Sequence, residues 1–310
     1  MTVEVERAFI GAGCNRIVHN FSWGACDLIS FGAQKISCHI LPQDCANFGY
    51  ASGPQSVCEL HALVAQIWKG IICYLEFSGG SILLWEFSVA NKKWRNVLQV
   101  PEKHKKGVTC IAAIVLSQTD ALFTSSSSDG VVSIWEIIFP SSAGGECKLS
   151  CLDSIVTGKN VMVAPSLVEL PGNCGHLALA MGGLDNKIRI YCGQRSGKTG
   201  GNYWYMDEHV DCRRVESLCS GFYGGRWSPS GSSILVHGYG GSFHHWKNVG
   251  SNFDNWKPQK VPPGHFAPVS DISWARDGEY LLYLLAMIKV FSAWSNESII
   301  EDGDAWHEIA

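Results

Sequence analysis

A tight turn followed six positions later by a large aromatic residue recurs along the chain, and this recurrence limits the folds open to it. In the stretch SSSSDGVVSIWEI, Asp129 stands six positions before Trp135, and apolar residues alternate between them. Three further pairs keep the same frame: Asp185 and Tyr191, Gly240 and Trp246, and Gly79 and Trp85. Alternation with a period of two is typical of a β-strand, and a tight turn before it predicts a hairpin. The chain therefore repeats one hairpin-containing unit.

The spacing of these residues indicates the size of the repeated unit. Weaker copies of the frame end at Ile40 and Phe291, and the six equivalent positions are 45, 50, 56, 55 and 45 residues apart. Repeats of about 40 to 50 residues are typical of four-stranded propeller blades. Helical periodicity is scarce, and its one competitor, residues 59–77, fits either a helix or a poorly formed strand pair. We predict an all-β propeller of about six blade-like units.

Composition excludes several other classes of protein. Of the 310 residues, 46% are hydrophobic, and a net charge of -4 disfavours a globally basic nucleic-acid binder. The 13 cysteines include no C-x-x-C pair, and the first residues carry charges where a signal peptide needs an apolar run. The longest apolar run, residues 280–288, is too short for a membrane helix of roughly 20 residues. We expect a cytoplasmic and nuclear protein with reduced thiols and no membrane span.

The repeat around Trp135 contains polar residues that suit a structural hydrogen-bond network. A carboxylate in the turn, Asp129, can accept a hydrogen bond from His104 in the preceding loop. The imidazole can in turn reach a serine at 125–127, for which we take Ser127, and this hydroxyl can accept from the Trp135 indole. Because the donors of such a network bond one another, we predict a structural role and no catalysis.

Residues of the other repeats are expected to share this structural role: Asp185, Tyr191, Trp246 and His265. Motifs that suggest an enzyme fail on their spacing. The stretch GQRSGKTGG lacks the first glycine of a phosphate loop, because Cys192 stands at that position. His244 and His245 are adjacent, so on a strand they point to opposite faces and cannot hold one ion together. We predict no enzymatic activity, no cofactor and no metal site.

The run KKWRNVLQVPEKHKK, residues 92–106, concentrates positive charge. It contains one acidic residue, Glu102, and six basic residues: Lys92, Lys93, Arg95, Lys103, Lys105 and Lys106. On a propeller this run would form an outer strand and an inter-blade loop, where it could contact phosphate or an acidic partner. A solvated face is the alternative that we favour, because only Trp94 offers an aromatic platform for a base.

Several longer stretches resemble the WD-repeat second subunit of the Elongator complex. They include VERAFIGAGCNRIVHNFSWGACDLISFGAQ, HKKGVTCIAA, ALAMGGLDNKIRIY, GFYGGRWSPSGSSILVHGYGGSFHHWKN, GHFAPVSDISWARDGEYLL, VFSAW and WHEIA. The resemblance implies a non-catalytic scaffold in an assembly that modifies wobble uridine in transfer RNA, with the chemistry on another subunit. It implies the largest scaffold subunit and the catalytic subunit as partners, and an indirect or weak contact with tRNA.

The same resemblance predicts how the chain is organised. Several whole repeats of the family are missing between IRIYCGQRSGKTGG and GFYGG, and residues 202–220 resemble no blade closely. We expect four blade units at 1–193, an atypical junction at 194–220, and two units at 221–310 with the last incomplete. Because a propeller protects its sheet edges by closing a ring, the loss predicts imperfect closure. The alternatives are a degenerate or regulatory fragment that no longer assembles, and a generic WD-repeat adaptor.

Overall fold

The structure of the chain, a computed structural model, describes 24 β-strands and short segments beside them. Outside the strands it describes residues 104–106, 116–117, 119, 128–130, 139–140, 145–147, 157, 170, 228–232, 240–242, 249 and 268. Every regular element in this part of the chain is a β-strand, so the prediction of an all-β chain is confirmed. No helix in it has the length and hydropathy that crossing a membrane requires.

The strands form six sheets, each of four antiparallel strands in which every strand pairs with its neighbour in sequence. The chain divides into two compact units. The N-terminal unit is Arg7–Lys159, and the C-terminal unit is Asn160–Ala310 together with Met1–Glu6. Each unit contains three of the sheets.

Sheets 1 to 3 belong to the N-terminal unit. Sheet 1 comprises β1 (Phe21–Trp23), β2 (Ile29–Ala33), β3 (Ile36–Leu41) and β4 (Ala46–Ser52). Sheet 2 comprises β5 (Leu60–Trp68), β6 (Ile71–Ser78), β7 (Ser81–Ser88) and β8 (Lys93–Val100). Sheet 3 comprises β9 (Val108–Val115), β10 (Asp120–Ser127), β11 (Val131–Ile138) and β12 (Lys148–Val156). The stretch 59–77 thus forms the strand pair of the two alternatives, because pairing with β7 overrides its helical periodicity.

Sheets 4 to 6 belong to the C-terminal unit. Sheet 4 comprises β13 (Met162–Glu169), β14 (His176–Gly183), β15 (Ile188–Gln194) and β16 (Trp204–Met206). Sheet 5 comprises β17 (Phe222–Trp227), β18 (Ser233–Gly238), β19 (Phe243–Asn248) and β20 (Trp256–Gln259). Sheet 6 comprises β21 (Val269–Trp274), β22 (Tyr280–Leu285), β23 (Phe291–Ile299) and β24 (Gly303–Glu308). The expected junction at 194–220 therefore contains β16, which completes sheet 4 by pairing with β15.

The six aromatic or apolar frame positions all fall in the third strand of a sheet: Ile40, Trp85, Trp135, Tyr191, Trp246 and Phe291. Their register agrees in sheets 3 to 5. Counted from the residue pair next to the hairpin turn, Trp135, Tyr191 and Trp246 each lie three pairs further along the strand. In sheet 6 this register position belongs to Trp294, which pairs with Leu281, whereas Phe291 begins the strand. The continuous apolar run before β23 contains no polar turn signal, which is why sequence reading placed the frame three residues too early.

A β-bulge also repeats from sheet to sheet. In sheets 3 to 6 the register between the first and second strands shifts at the second residue of the first strand, and these residues are Thr109, Val163, Tyr223 and Ser270. A bulge places two residues opposite one and bends the strand locally. The shared position shows that these four sheets are copies of one structural unit.

Apolar side chains from neighbouring sheets form the cores of both units. In the N-terminal unit the core joins sheets 2 and 3, and its buried residues are Ile82, Leu84, Val108, Ile111, Ala121, Phe123, Trp135, Ile137 and Phe139. In the C-terminal unit it joins sheets 4 and 5, with Val168, Ile190, Phe222, Trp227, Ile234, Val236 and Trp246. The rings of Phe123 and Trp135 stack with centroids 5.7 Å apart. Trp135 and Trp246 therefore each pack in the core of their unit.

Replacing Phe123 with alanine should lower the free energy of unfolding by about 3–5 kcal/mol, because the ring is fully buried and stacked on Trp135. Urea unfolding followed by tryptophan fluorescence would measure this loss. Val156→Ala is the matched control in the same sheet, since Val156 is 76% exposed and its truncation should change stability by less than about 0.5 kcal/mol. Equal losses for the two variants would contradict the packing of sheets 2 and 3.

Candidate functional site

Three side chains, one from each of two strands of sheet 3 and one from the loop before the sheet, meet at the hydroxyl group of Ser125. Trp135 in β11 donates its indole N–H to Ser125 Oγ in β10 at 2.9 Å. His104, in the loop before β9, places Nε2 at 2.8 Å from the same oxygen. All three residues are buried, and Ser125 has no exposed surface. The hydroxyl therefore links two strands and a loop inside the sheet.

The chemistry of the three groups indicates where the hydrogens lie. An indole nitrogen only donates, and a serine hydroxyl carries one hydrogen and two acceptor sites. We assign a neutral His104 with its hydrogen on Nδ1, because Ser125 can then accept from Trp135 and donate to Nε2. This tautomer directs the Nδ1 hydrogen towards Asp129, whose Oδ2 lies 3.7 Å away. At 3.7 Å this contact is longer than a hydrogen bond, so the link predicted between His104 and Asp129 is a longer polar contact.

Asp129 is held mainly by backbone amides of the loop and the turn. Its Oδ2 accepts from the Lys105 amide at 2.8 Å, and its Oδ1 accepts from the Val131 amide at 3.0 Å. Burial favours the neutral acid, but hydrogen bonds donated to the carboxylate, chiefly by the Lys105 and Val131 amides, outweigh it. The pKa of Asp129 is therefore lowered below its usual 3.8. The carboxylate stays ionised and fixes the loop of His104 against the β10–β11 turn.

Ser127 does not bond the indole, contrary to the choice made from sequence. Its hydroxyl donates to the Lys106 carbonyl at 3.0 Å and accepts from the Asp129 amide at 3.2 Å. Trp135 lies opposite Phe123, so the nearest serine on the same face of β10 is Ser125, two residues along. Counting this register from the Asp129 turn would have identified Ser125.

The turn itself extends the network to the outer strand of sheet 3. Gly130 adopts a φ of 81°, a left-handed conformation that glycine takes without steric cost. Its carbonyl accepts from both the amide and the hydroxyl of Thr157, at 2.9 and 2.8 Å. Thr157 directly follows β12, so the turn fixes the end of that strand.

The other predicted network residues are placed less completely. Trp246 is buried and stacks on His244, with ring centroids 5.9 Å apart. Tyr191 is half-buried, and burial raises the pKa of its phenol while the nearby Arg189 acts in the opposite direction. Asp185 and His265 lie outside the described residues. His265 stands four positions before Val269, as His104 stands four before Val108, so its equivalence stays a prediction.

The histidines of sheet 5 pack against aromatic rings. His244 contacts Phe222 and Trp246, whereas His245 contacts Trp274, as expected for adjacent residues of a strand. Burial lowers the pKa of His244 below 6.5, which favours the neutral ring. Among the described residues, no group of three or more His, Cys, Asp or Glu is arranged to hold a metal ion.

The basic run separates into two parts in the structure. Arg95, in the outer strand β8, donates from Nη2 and Nε to Glu86 Oε2 in β7 at 2.9 and 3.2 Å, so its charge is offset. Lys105 and Lys106 are exposed in the loop beside the Asp129 turn. The side chains of Lys92, Lys93 and Lys103 lie outside the described residues. The exposed cations that the structure describes in this run are thus Arg95, which is paired, and the two loop lysines.

Comparison with known proteins assigns the chain to a class. Residues 95–136 match the family model "WD domain, G-beta repeat", which spans β8 to β11 and so contains the network around Trp135. Together with the four-stranded sheets, this match confirms the prediction of a WD-repeat β-propeller fold. The chain therefore contains a WD repeat.

The predicted resemblance to the second subunit of the Elongator complex is also confirmed. The chain is 36% identical to Elongator complex protein 2 of Arabidopsis thaliana over 454 aligned positions, which cover 99% of the chain and 54% of that relative. Sequence identity to the Drosophila melanogaster protein of the same name is 34% over 107 residues, which cover 33% of the chain and 13% of the relative. For the Dictyostelium discoideum protein it is 38% over 101 residues, covering 29% and 11%. The chain thus spans about half the length of its plant relative.

Replacing Ser125 with alanine should destabilise sheet 3 by about 1–3 kcal/mol, because it removes the buried partner shared by Trp135 and His104. The measurement is urea unfolding of the full chain. Ser128→Ala is the matched control, since Ser128 is exposed one residue beyond β10 and its loss should cost less than about 0.5 kcal/mol. A loss for Ser127→Ala with none for Ser125→Ala would contradict the assignment of the shared hydroxyl.

The lowered pKa of Asp129 predicts a stability change in acid. Its ionised form is favoured in the folded state, so its stabilisation is complete above pH 3.8 and is lost as the pH falls through the lower folded pKa. Asp129→Asn should therefore be less stable than the unmodified chain at pH 7, and the difference should shrink below about pH 4. Urea unfolding at several pH values, with Asp120→Asn at the start of β10 as control, measures this difference. A difference that does not change with pH would contradict the shift.

Proposed function

We propose that the chain is a non-catalytic WD-repeat scaffold of an Elongator-type assembly that supports modification of wobble uridine in tRNA. The observation that carries this proposal is the 36% identity to Elongator complex protein 2 across 99% of the chain. In this proposal the chemistry belongs to another subunit. The partners are the largest scaffold subunit and the catalytic subunit, and the site of action is the cytoplasm and the nucleus.

The geometry of sheet 3 supports a scaffold rather than an active site. His104, Ser125 and Asp129 resemble a catalytic triad in composition, but their bonds run to Trp135 and to backbone amides. Ser125 has no exposed surface and so has no access to a substrate. A buried network of this kind holds the strands in place while exposed side chains are free to vary. Such side chains are what a binding partner would contact.

A second candidate function follows from the length of the alignment. It contains 454 positions for a chain of 310 residues, so at least 144 positions of the alignment have no counterpart here. At about 40 to 50 residues per blade, this corresponds to roughly three blades. If contacts to other subunits lie on those blades, the chain would be a regulatory fragment that no longer assembles, or an adaptor for other partners.

Capture of the tagged full chain from cells that lack their own Elongator complex protein 2 separates these functions. We expect the largest and catalytic subunits to co-purify with it, and modified wobble uridine, measured by mass spectrometry of tRNA nucleosides, to return. A soluble, folded chain that captures neither subunit and restores no modification would contradict the scaffold proposal and support the fragment.

The same capture separates the solvated face that we favour for the basic run from the alternative, in which the loop lysines contact tRNA. Under that alternative, Lys105→Glu combined with Lys106→Glu, which reverses two exposed charges and keeps the backbone amide bonds to Asp129, should reduce recovered tRNA and leave the subunits in place. Arg95→Met is the matched control, because Glu86 already offsets that charge. Unchanged recovery of tRNA would assign the basic run to a solvated face.

A further inference from the structure

Arg226 connects three neighbouring sheets of the C-terminal unit. It lies in β17, the first strand of sheet 5, which lies beside the first strands of sheets 4 and 6. Its Nη1 donates to the Pro165 carbonyl in β13 at 3.4 Å, and its Nη2 donates to Asp271 Oδ1 in β21 at 3.5 Å. One guanidinium group therefore contacts both neighbours of its own sheet.

The carboxylate on one side of this contact is removed from water. The side chain of Asp271 has 0% exposed surface, and that of Arg226 has 17%. Asp271 Oδ1 also accepts a hydrogen bond from the Ile272 amide at 2.9 Å. A buried carboxylate is tolerated when hydrogen bonds and an opposite charge compensate for its lost hydration. Arg226 supplies such a charge from the neighbouring sheet, so this part of the compensation depends on the alignment of sheets 5 and 6.

The two sides of sheet 5 use different chemistry. Towards sheet 4 the contact is a shared apolar core with two added bonds, from Arg226 Nη1 to the Pro165 carbonyl at 3.4 Å and from the Trp227 amide to Ser166 Oγ at 3.0 Å. Towards sheet 6 the described contacts are more polar: the ion pair, a bond of 2.8 Å between buried His237 Nδ1 and the Val269 carbonyl, and the rings of His245 and Trp274. Apolar faces accept many neighbours of similar shape, whereas a buried charge accepts only a partner of opposite sign.

Selection of the correct neighbour is a particular demand on this chain. Its sheets repeat one architecture, so the apolar face of one sheet could pack on several others. The alignment with the plant relative has at least 144 positions without a counterpart here, so these sheets assemble with fewer repeats around them. A wrongly placed neighbour would leave the buried Asp271 carboxylate without the charge of Arg226.

We propose that the Arg226–Asp271 pair is a specificity device that selects sheet 6 as the neighbour of sheet 5. Its contribution is to a single packing arrangement rather than to net stability. Replacing both members of a buried pair with apolar residues of similar volume is often neutral for stability, whereas removing one member is strongly destabilising. Stability and uniqueness of packing can therefore be measured separately.

The test compares Arg226→Met, Asp271→Leu and the double variant in the full chain. Each single variant should raise the equilibrium constant of unfolding by about 100- to 1000-fold, and the double variant should return to within about threefold of the unmodified chain. Arg95→Met is the matched control, because it breaks an ion pair whose arginine is 73% exposed and should change the constant by about fivefold at most.

The double variant decides whether the pair provides specificity. After refolding from urea, we expect a smaller fraction of monomer on size-exclusion chromatography, weaker near-ultraviolet circular dichroism, and faster amide exchange in β17 than in the unmodified chain. A double variant that refolds in full yield with unchanged spectra and exchange would overturn the proposal. So would single variants no more destabilised than Arg95→Met. None of these readouts involves a partner subunit, so they are independent of the proposed scaffold function.

Discussion

The Ser125 hydroxyl is the contact on which the order of sheet 3 depends. It is the point where β10, β11 and the loop before β9 share one bonded atom, and it is fully buried. Its geometry follows from strand pairing. Trp135 pairs with Phe123 across the strands, and its indole reaches diagonally to Ser125, two residues further along the same face of β10. The same tryptophan stacks on Phe123 and enters the core shared with sheet 2. One residue thus joins the polar network inside the sheet to the apolar contact between sheets.

From this centre the network extends through the Asp129–Gly130 turn to the edge of the sheet. Asp129 holds the backbone of Lys105, and the Gly130 carbonyl holds both the amide and the hydroxyl of Thr157. The loop before the first strand and the end of the fourth strand therefore depend on one two-residue turn. This explains why an acid and a glycine stand there: the acid accepts two amides, and the glycine supplies the left-handed backbone.

Sequence reasoning predicted the features that repeat and missed those that are particular to one interface. The period of the frame identified the third strand of every sheet, because turn and alternation are local signals that recur. It selected Ser127 instead of Ser125, since neighbouring serines differ only in register, and Phe291 instead of Trp294, since an apolar run hid the turn. Arg226 and Asp271 had no local signal at all. They lie 45 residues apart, and only the packing of two sheets brings them together.

The outer strands of four of the sheets carry features that protect the edge of their own sheet. In sheets 1 to 3 the fourth strand has a bulge opposite the frame residue, at Phe48, Val97 and Leu152, and in sheet 5 it presents Lys257 and Pro258. Bulges, edge lysines and edge prolines all disfavour pairing with a further strand. Protection that is built into an individual sheet does not depend on how many repeats are present. The absence of these positions, relative to the plant protein, therefore does not remove the protection of these edges. It affects the contacts between sheets instead, where buried charge excludes a misplaced neighbour.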